Sequence, residues 1–142
     1  TAGDWGAELY IQYDTRQNVI LNNLIFANES RLFMESWSSV MQDNMVDYNL
    51  YFAMDGGTDG SWVWQGASYE DFAAYQTASG NDANSLIGQD PRLVDPANGD
   101  LHLQPDSPAQ DAGTNHAEIG ESDIDDMPRS VNQVDVGAHE LE

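Results

Sequence analysis

The apolar positions change rhythm twice along the chain. Over residues 7–54 they form short runs that read as β-strands, among them Leu9-Tyr10-Ile11, Leu24-Ile25-Phe26-Ala27, Leu32-Phe33-Met34 and Leu50-Tyr51-Phe52-Ala53. Over residues 68–79 the spacing becomes helical. Ser68 offers an N-cap hydroxyl with Asp71 three residues on, Phe72 and Tyr75 share a face, and Gly80 suits the left-handed position after a helix. Residues 81–140 hold all five prolines and read as turns, with brief strand candidates at 101–103 and 134–136. The expected layout is a single domain, 1–142. Strands fill 7–54, a loop and the short helix fill 55–80, and an irregular C-terminal cap fills 81–140. Leu141-Glu142 is a candidate cloning scar.

The strand region contains a repeat. Asn23-Leu24-Ile25-Phe26-Ala27 matches Asn49-Leu50-Tyr51-Phe52-Ala53 at an offset of 26, and Leu9-Tyr10-Ile11 matches Leu32-Phe33-Met34 at an offset of 23. Short β runs repeating at this period suggest stacked coils, each burying an apolar face that it cannot bury alone. Asn23 and Asn49 then occupy equivalent turn positions, where side-chain amides can form a ladder. Asn is also common in turns for local reasons.

Charge narrows the partners. The chain has 25 acidic residues, 4 arginines and no lysine, for a net charge of −21. Such a charge favours either disorder or a folded protein from salty water or one that binds cations. The 4 Trp, 6 Tyr and 4 Phe, within 40% apolar residues, favour folding. Nucleic acid is excluded as a partner, since phosphate binding needs Lys and Arg. Bare acidic polysaccharides are disfavoured unless a divalent cation bridges the two anions. No cysteine is present, so there are no disulfides and no thiolate metal site. No stretch approaches the roughly 18 apolar residues of a membrane helix.

Several phrases occur in a telling order. They are Asp47-Tyr48-Asn49-Leu50-Tyr51-Phe52, Trp64-Gln65-Gly66 through Tyr75-Gln76, and Gly80-Asn81-Asp82-Ala83-Asn84-Ser85. Asp90-Pro91-Arg92-Leu93-Val94-Asp95-Pro96, Asp106-Ser107-Pro108-Ala109-Gln110-Asp111-Ala112-Gly113 and Val134-Asp135-Val136-Gly137-Ala138-His139-Glu140 follow. Over about residues 18–140 this order resembles the C-terminal region of bacterial right-handed parallel β-helix repeat proteins, the pectate-lyase-like group. Asp126 departs from the pattern, standing where the family usually has Gly. The resemblance implies an all-β fold: a right-handed parallel β-helix fragment of about two coils, with one short helix and an irregular cap. It also implies a secreted or cell-surface parent protein.

The chemistry expected of such a chain is binding. A β-elimination lyase needs a base and a neutraliser for the uronate carboxylate, and the four arginines are scattered. No catalytic residue is assigned. The aromatic residues Trp37, Trp62, Trp64 and Tyr69 are the candidate carbohydrate-binding residues, with Trp37 and Trp62 the better exposed candidates. The alternative for them is core packing. Calcium is the candidate cofactor, at Glu121, Asp123, Asp125 and Asp126 or at Asp55 and Asp59, because hard cations take clustered carboxylates. Asp and Gly also build turns without any ion. The expected function is a non-catalytic capping or carbohydrate-associated domain of a larger exported protein. The alternatives are a fragment of a polysaccharide lyase or glycoside hydrolase whose site lies upstream, and a purely structural surface module. An open coil end would also allow self-association.

Overall fold

A computed structural model describes residues 6–27, 31–53, 59–129 and 133–141. The strands are β1 (Leu9–Tyr10), β2 (Val19–Leu21), β3 (Leu24–Ala27), β4 (Leu32–Glu35), β5 (Met45–Asp47), β6 (Leu50–Ala53), β7 (Ser61–Trp64) and β8 (Ala67–Tyr69). Helix α1 (Phe72–Ser79) follows, then β9 (Leu86–Ile87), β10 (Leu93–Asp95), a 3-10 turn at Pro96–Asn98 and β11 (Asp100–Leu103).

The expected right-handed parallel β-helix fragment is overturned. Among the described residues the strands form no single solenoid but four separate small sheets, ordered β1-β4-β7-β8, β2-β5, β3-β6-β9 and β10-β11. Two pairings, β7 with β8 and β10 with β11, are antiparallel. The physical reason lies in the strand lengths and corners. Each strand ends after two to four residues, and residues in the left-handed region turn the chain before a ladder can lengthen. Gln17 and Asp43 both sit at φ 57°, and Asn22 and Tyr48 at φ 60° and 53°. After β7, Gln65 and Gly66 at φ 50° and 82° make a two-residue hairpin that sends β8 back along its neighbour.

The short-range pairing follows the repeat in part. β3 pairs parallel with β6 in the register Leu24↔Leu50 to Ala27↔Ala53, the offset of 26. β1 pairs with β4 as Leu9↔Met34 and Tyr10↔Glu35, two residues from the alignment on Leu32. A slip of two leaves the same side chains on the same face, because strand side chains alternate with period two.

Sheet β3-β6-β9 is covered on both sides, which is why Leu24–Ala27 and Leu50–Ala53 are unbroken apolar runs. Ile25, Ala27, Tyr51 and Ala53 enter one core with Phe33, Met34, Trp62 and Tyr75. Leu50 and Phe52 enter a second with Leu103, Ala109 and Val136 of the C-terminal segment, against which Leu24 and Phe26 also pack. The segment is tied there by backbone bonds from Val136 to Ala109 and from Gly137 to Asn22, both 2.9 Å. The Asn22 side chain adds two more, donating to Thr114 O (2.9 Å) and accepting from Thr114 N (2.8 Å).

α1 begins later than the sequence pattern predicts. Residues 67–69 are strand, and the cap is Asp71, whose carboxylate accepts from Ala74 N at 2.9 Å. Gly80, at φ 70°, closes the helix as expected.

Gly60 marks the tightest point of the first core. A methyl group there would lie 2.6 Å from the rings of both Phe33 and Trp62. Gly60→Ala is therefore expected to cost about 1–3 kcal/mol through overpacking, read as a lower urea midpoint. An unchanged midpoint would mean that those two rings can move apart freely.

Candidate functional site

The four sequence-selected aromatic residues separate sharply. Trp62 is fully buried, which corrects the expectation that it is exposed. Its ring stacks between Phe33 (5.4 Å between centroids, 27°) and Tyr75 (5.8 Å, 13°), so neither face is left for a sugar. Trp64 and Tyr69 are half-buried against Tyr75, each 6.5 Å away.

Trp37 alone of the four presents a ring to solvent, at 55% exposure. It lies just past the end of β4. One side of its ring lies over Gly66 of the hairpin, where an added methyl group would sit at ordinary contact distance, 3.7 Å from the ring. Its indole N–H donates to the Glu35 carboxylate. Both contacts hold the ring in place while leaving its outer part free. Beside it, Tyr10 (44% exposed) and Tyr13 (80% exposed) share a shallow depression of about 380 Å³ that Gln12, Asp14 and Ser38 also line. Gln12 and Asp14 make no side-chain hydrogen bond among the described residues. Tyr10 and Tyr13 were not selected from sequence. Their strand-loop position said nothing about facing a Trp 24 or more residues away.

A second cluster centres on a buried carboxylate. Asp82 is fully buried with φ 56°. Its carboxylate accepts from Tyr75 OH (2.8 Å), Ser85 OH (2.6 Å), Tyr51 OH (3.1 Å) and Asn49 Nδ2 (3.3 Å). Its backbone N–H donates to Val46 O at 2.7 Å. Burial raises the Asp82 pKa, and the four side-chain donors only partly offset that. Burial, with the Asp82 charge nearby, likewise pushes both tyrosine hydroxyls up, so they remain neutral donors. Asn49 also accepts from Asn23 N and Nδ2 (3.0 and 3.1 Å), the amide ladder anticipated at these positions. A second rung, Asn18 on Asn44 at 2.9 Å, has the same offset of 26. The Asp82 node locks helix, sheet and loop together, with Asp82, Asn49, Tyr51 and Tyr75 fully buried and Ser85 half-buried.

The acidic candidates do not converge on one point. Asp55 lies outside the described residues, and Asp59 is exposed, 3.7 Å from Arg31. Asp123 accepts from the backbone N–H groups of Asp125, Met127 and Glu140 at 2.9–3.0 Å. Burial pushes its pKa up, and these three bonds more than reverse that to a net lowering. Glu121 and Asp126 are exposed, and Asp126, standing where the resemblance expects Gly, adopts φ 62°. Asp125 instead turns to His102, with Oδ2 3.0 Å from Nε2. Asp100 holds the other nitrogen, Nδ1, at 2.5 Å. Hydrogen bonds from both carboxylates, Asp100 first, raise the His102 pKa. His139 meets His102 edge to face, 4.8 Å between centroids.

An apolar cleft of about 820 Å³ opens where Leu21, Leu24 and Phe26 face Leu93, Leu101 and Leu103, with Arg129 at its side. Arg129 is occupied by Gly137 O and by Glu140, whose Oε1 is 3.8 Å from its Nε.

These features describe a mostly-β chain of small sheets with one exposed aromatic surface and no helix long and apolar enough to cross a membrane among the described residues. Over 110 residues the chain is 38% identical to the uncharacterized protein YwoF of Bacillus subtilis strain 168. That match covers 78% of this chain and 23% of YwoF, so the chain spans about a quarter of its relative's length. No protein-family model matches the sequence. No solved structure matches it either.

Proposed function

We propose that this chain is a non-catalytic, carbohydrate-associated module of a larger exported protein, and that it binds a neutral glycan through Trp37, Tyr10 and Tyr13. The supporting observation is the outward-facing Trp37 ring, flanked by two exposed tyrosines and by Gln12 and Asp14, whose side chains make no hydrogen bond among the described residues. A contiguous exposed apolar patch rimmed by polar residues marks an interaction surface, whereas singly scattered apolar residues do not. The C–H face of a pyranose ring fits against the flat π-face, and Gln12, Asp14 and Ser38 are placed to meet its hydroxyl groups. The net charge of −21 argues for an uncharged sugar over a uronate.

The test is calorimetric titration against a panel of neutral and acidic polysaccharides. Saturable binding to a neutral glycan is expected. Trp37→Ala should weaken it at least tenfold and leave the free energy of unfolding within about 0.5 kcal/mol of the parent, as for other surface substitutions. Absence of binding across the panel, or binding that Trp37→Ala leaves intact, would refute the assignment.

A further inference from the structure

We infer that His102, Asp125 and His139 form a binding site for a divalent transition ion of the zinc class. The observation is a convergence of two imidazoles and a carboxylate from three separate segments. One ligand atom from each lies within 4.8 Å of the others. A tetrahedral ion with bonds of about 2.0–2.1 Å holds its ligand atoms roughly 3.3 Å apart. Asp125 Oδ2 and His102 Nε2, at 3.0 Å, are already close to that spacing.

The surrounding groups support the assignment independently. Asp100 accepts from His102 Nδ1, fixing the ring so that Nε2 is the nitrogen aimed at Asp125. A carboxylate behind a ligating histidine orients the ring and raises its basicity. In the ion-free arrangement the Nε2 proton bridges His102 and Asp125, and the ion takes the place of that proton. His139 reaches the same point from the C-terminal segment. Its Nδ1 accepts from Leu103 N at 3.1 Å, which places its proton on Nε2. To ligate, His139 gives up that one hydrogen bond, a small loss against a metal–imidazole bond. It is therefore the third ligand to engage.

The donor set selects the ion. Two imidazoles and one carboxylate suit zinc, cobalt, nickel or copper, whereas calcium takes six or more oxygens. Asp123, the central acid of the calcium expectation, is engaged by three amides and serves this site by shaping the turn that carries Asp125.

The experiment is titration of the full chain with Zn²⁺, and separately with Co²⁺, in excess Mg²⁺ to occupy the general acidic surface. One ion per chain is expected, with visible Co²⁺ absorption of a low-coordinate N/O site. Affinity should fall as pH is lowered, because protons compete for the imidazoles. His102→Ala should abolish the Co²⁺ spectrum, His139→Ala should weaken binding at least tenfold, and Asp100→Asn should weaken it about 10–100-fold. His116→Ala, in a separate loop, should change nothing. Circular dichroism and the urea midpoint of each ion-free variant separate lost ligation from lost folding, and Asp125→Asn preserves shape if an alanine variant unfolds. Zn²⁺ uptake no stronger than that of Mg²⁺, or affinity unchanged in His102→Ala or His139→Ala, would overturn the site.

Discussion

Replacing Trp62 with alanine is expected to lower the free energy of unfolding by about 3–5 kcal/mol, the range for truncating a large buried aromatic side chain. For a domain of this size, total stability is on the order of 5–15 kcal/mol, so much of the population would unfold under mild denaturant. The size of the effect comes from the neighbours. The Trp62 ring stacks on Phe33 and Tyr75 and also meets Phe72 (5.1 Å) and the edge of Tyr51 (6.1 Å). These neighbours come from β4, β6 and α1, so no single element can collapse into the void. The indole N–H is buried and has no hydrogen-bond partner among the described residues. Trp62→Phe keeps a ring and removes that unpaired donor, so its cost should be well under half that of alanine. Urea denaturation of the two variants checks both values, with the slope unchanged. A midpoint for Trp62→Ala equal to that of the parent would show that the stack contributes nothing.

The second large effect is at Asp82. Asp82→Ala leaves the donors of Tyr51, Tyr75, Asn49 and Ser85 facing a cavity. One buried polar group without a partner costs about 1–3 kcal/mol, and several in one network are expected to cost on the order of 3–5 kcal/mol together. Asp82→Asn preserves shape and one acceptor oxygen and should cost less. It also gives a test of sign. Burial raises the Asp82 pKa from 3.8, so the folded state holds the proton more tightly than the unfolded chain does. The stability this contributes is fully present below the unfolded value and is lost as pH rises through the folded one. Asparagine does not titrate. The penalty of Asp82→Asn should therefore be greatest in acid and shrink toward neutral pH, as measured by urea midpoints across that range. A penalty that grows with pH would mean that the four hydrogen bonds outweigh burial and that the carboxylate is favoured as the anion.

Parts of this structure were legible in the sequence for reasons of period. The runs from Asn23 and from Asn49 pair in the register their similarity implies. Their amides stack because equal spacing brings equal side chains together. Gly80 closes the helix because the left-handed region costs glycine least. Other parts depended on residues that carry weak signals. Gln65 adopts a positive φ that usually falls to Asn or Asp, so the hairpin that sets β8 antiparallel to β7 carries little signal in the sequence. Asp71 replaced Ser68 as the cap because 67–69 pair with β7, a long-range preference that outweighs local capping.

The sites divide in the same way. Trp37 and Trp62 have no local feature that tells an exposed ring from a buried one. Trp62 faces Phe33 and Tyr75, and Trp37 faces solvent over Gly66. In the sequence Asp125 is one acid in a cluster, whereas its partner His102 lies 23 residues away. The sequence by itself determined the charge, the strand-forming runs, their 26-residue spacing and the helix end, because these depend on composition and on neighbours a few residues apart. Only the tertiary structure decided the division into four sheets, the exposure of each aromatic ring and the meeting of His102, Asp125 and His139. Those outcomes depend on which distant segments compete for the same face, and pairwise contacts of that kind leave no periodic mark along the chain.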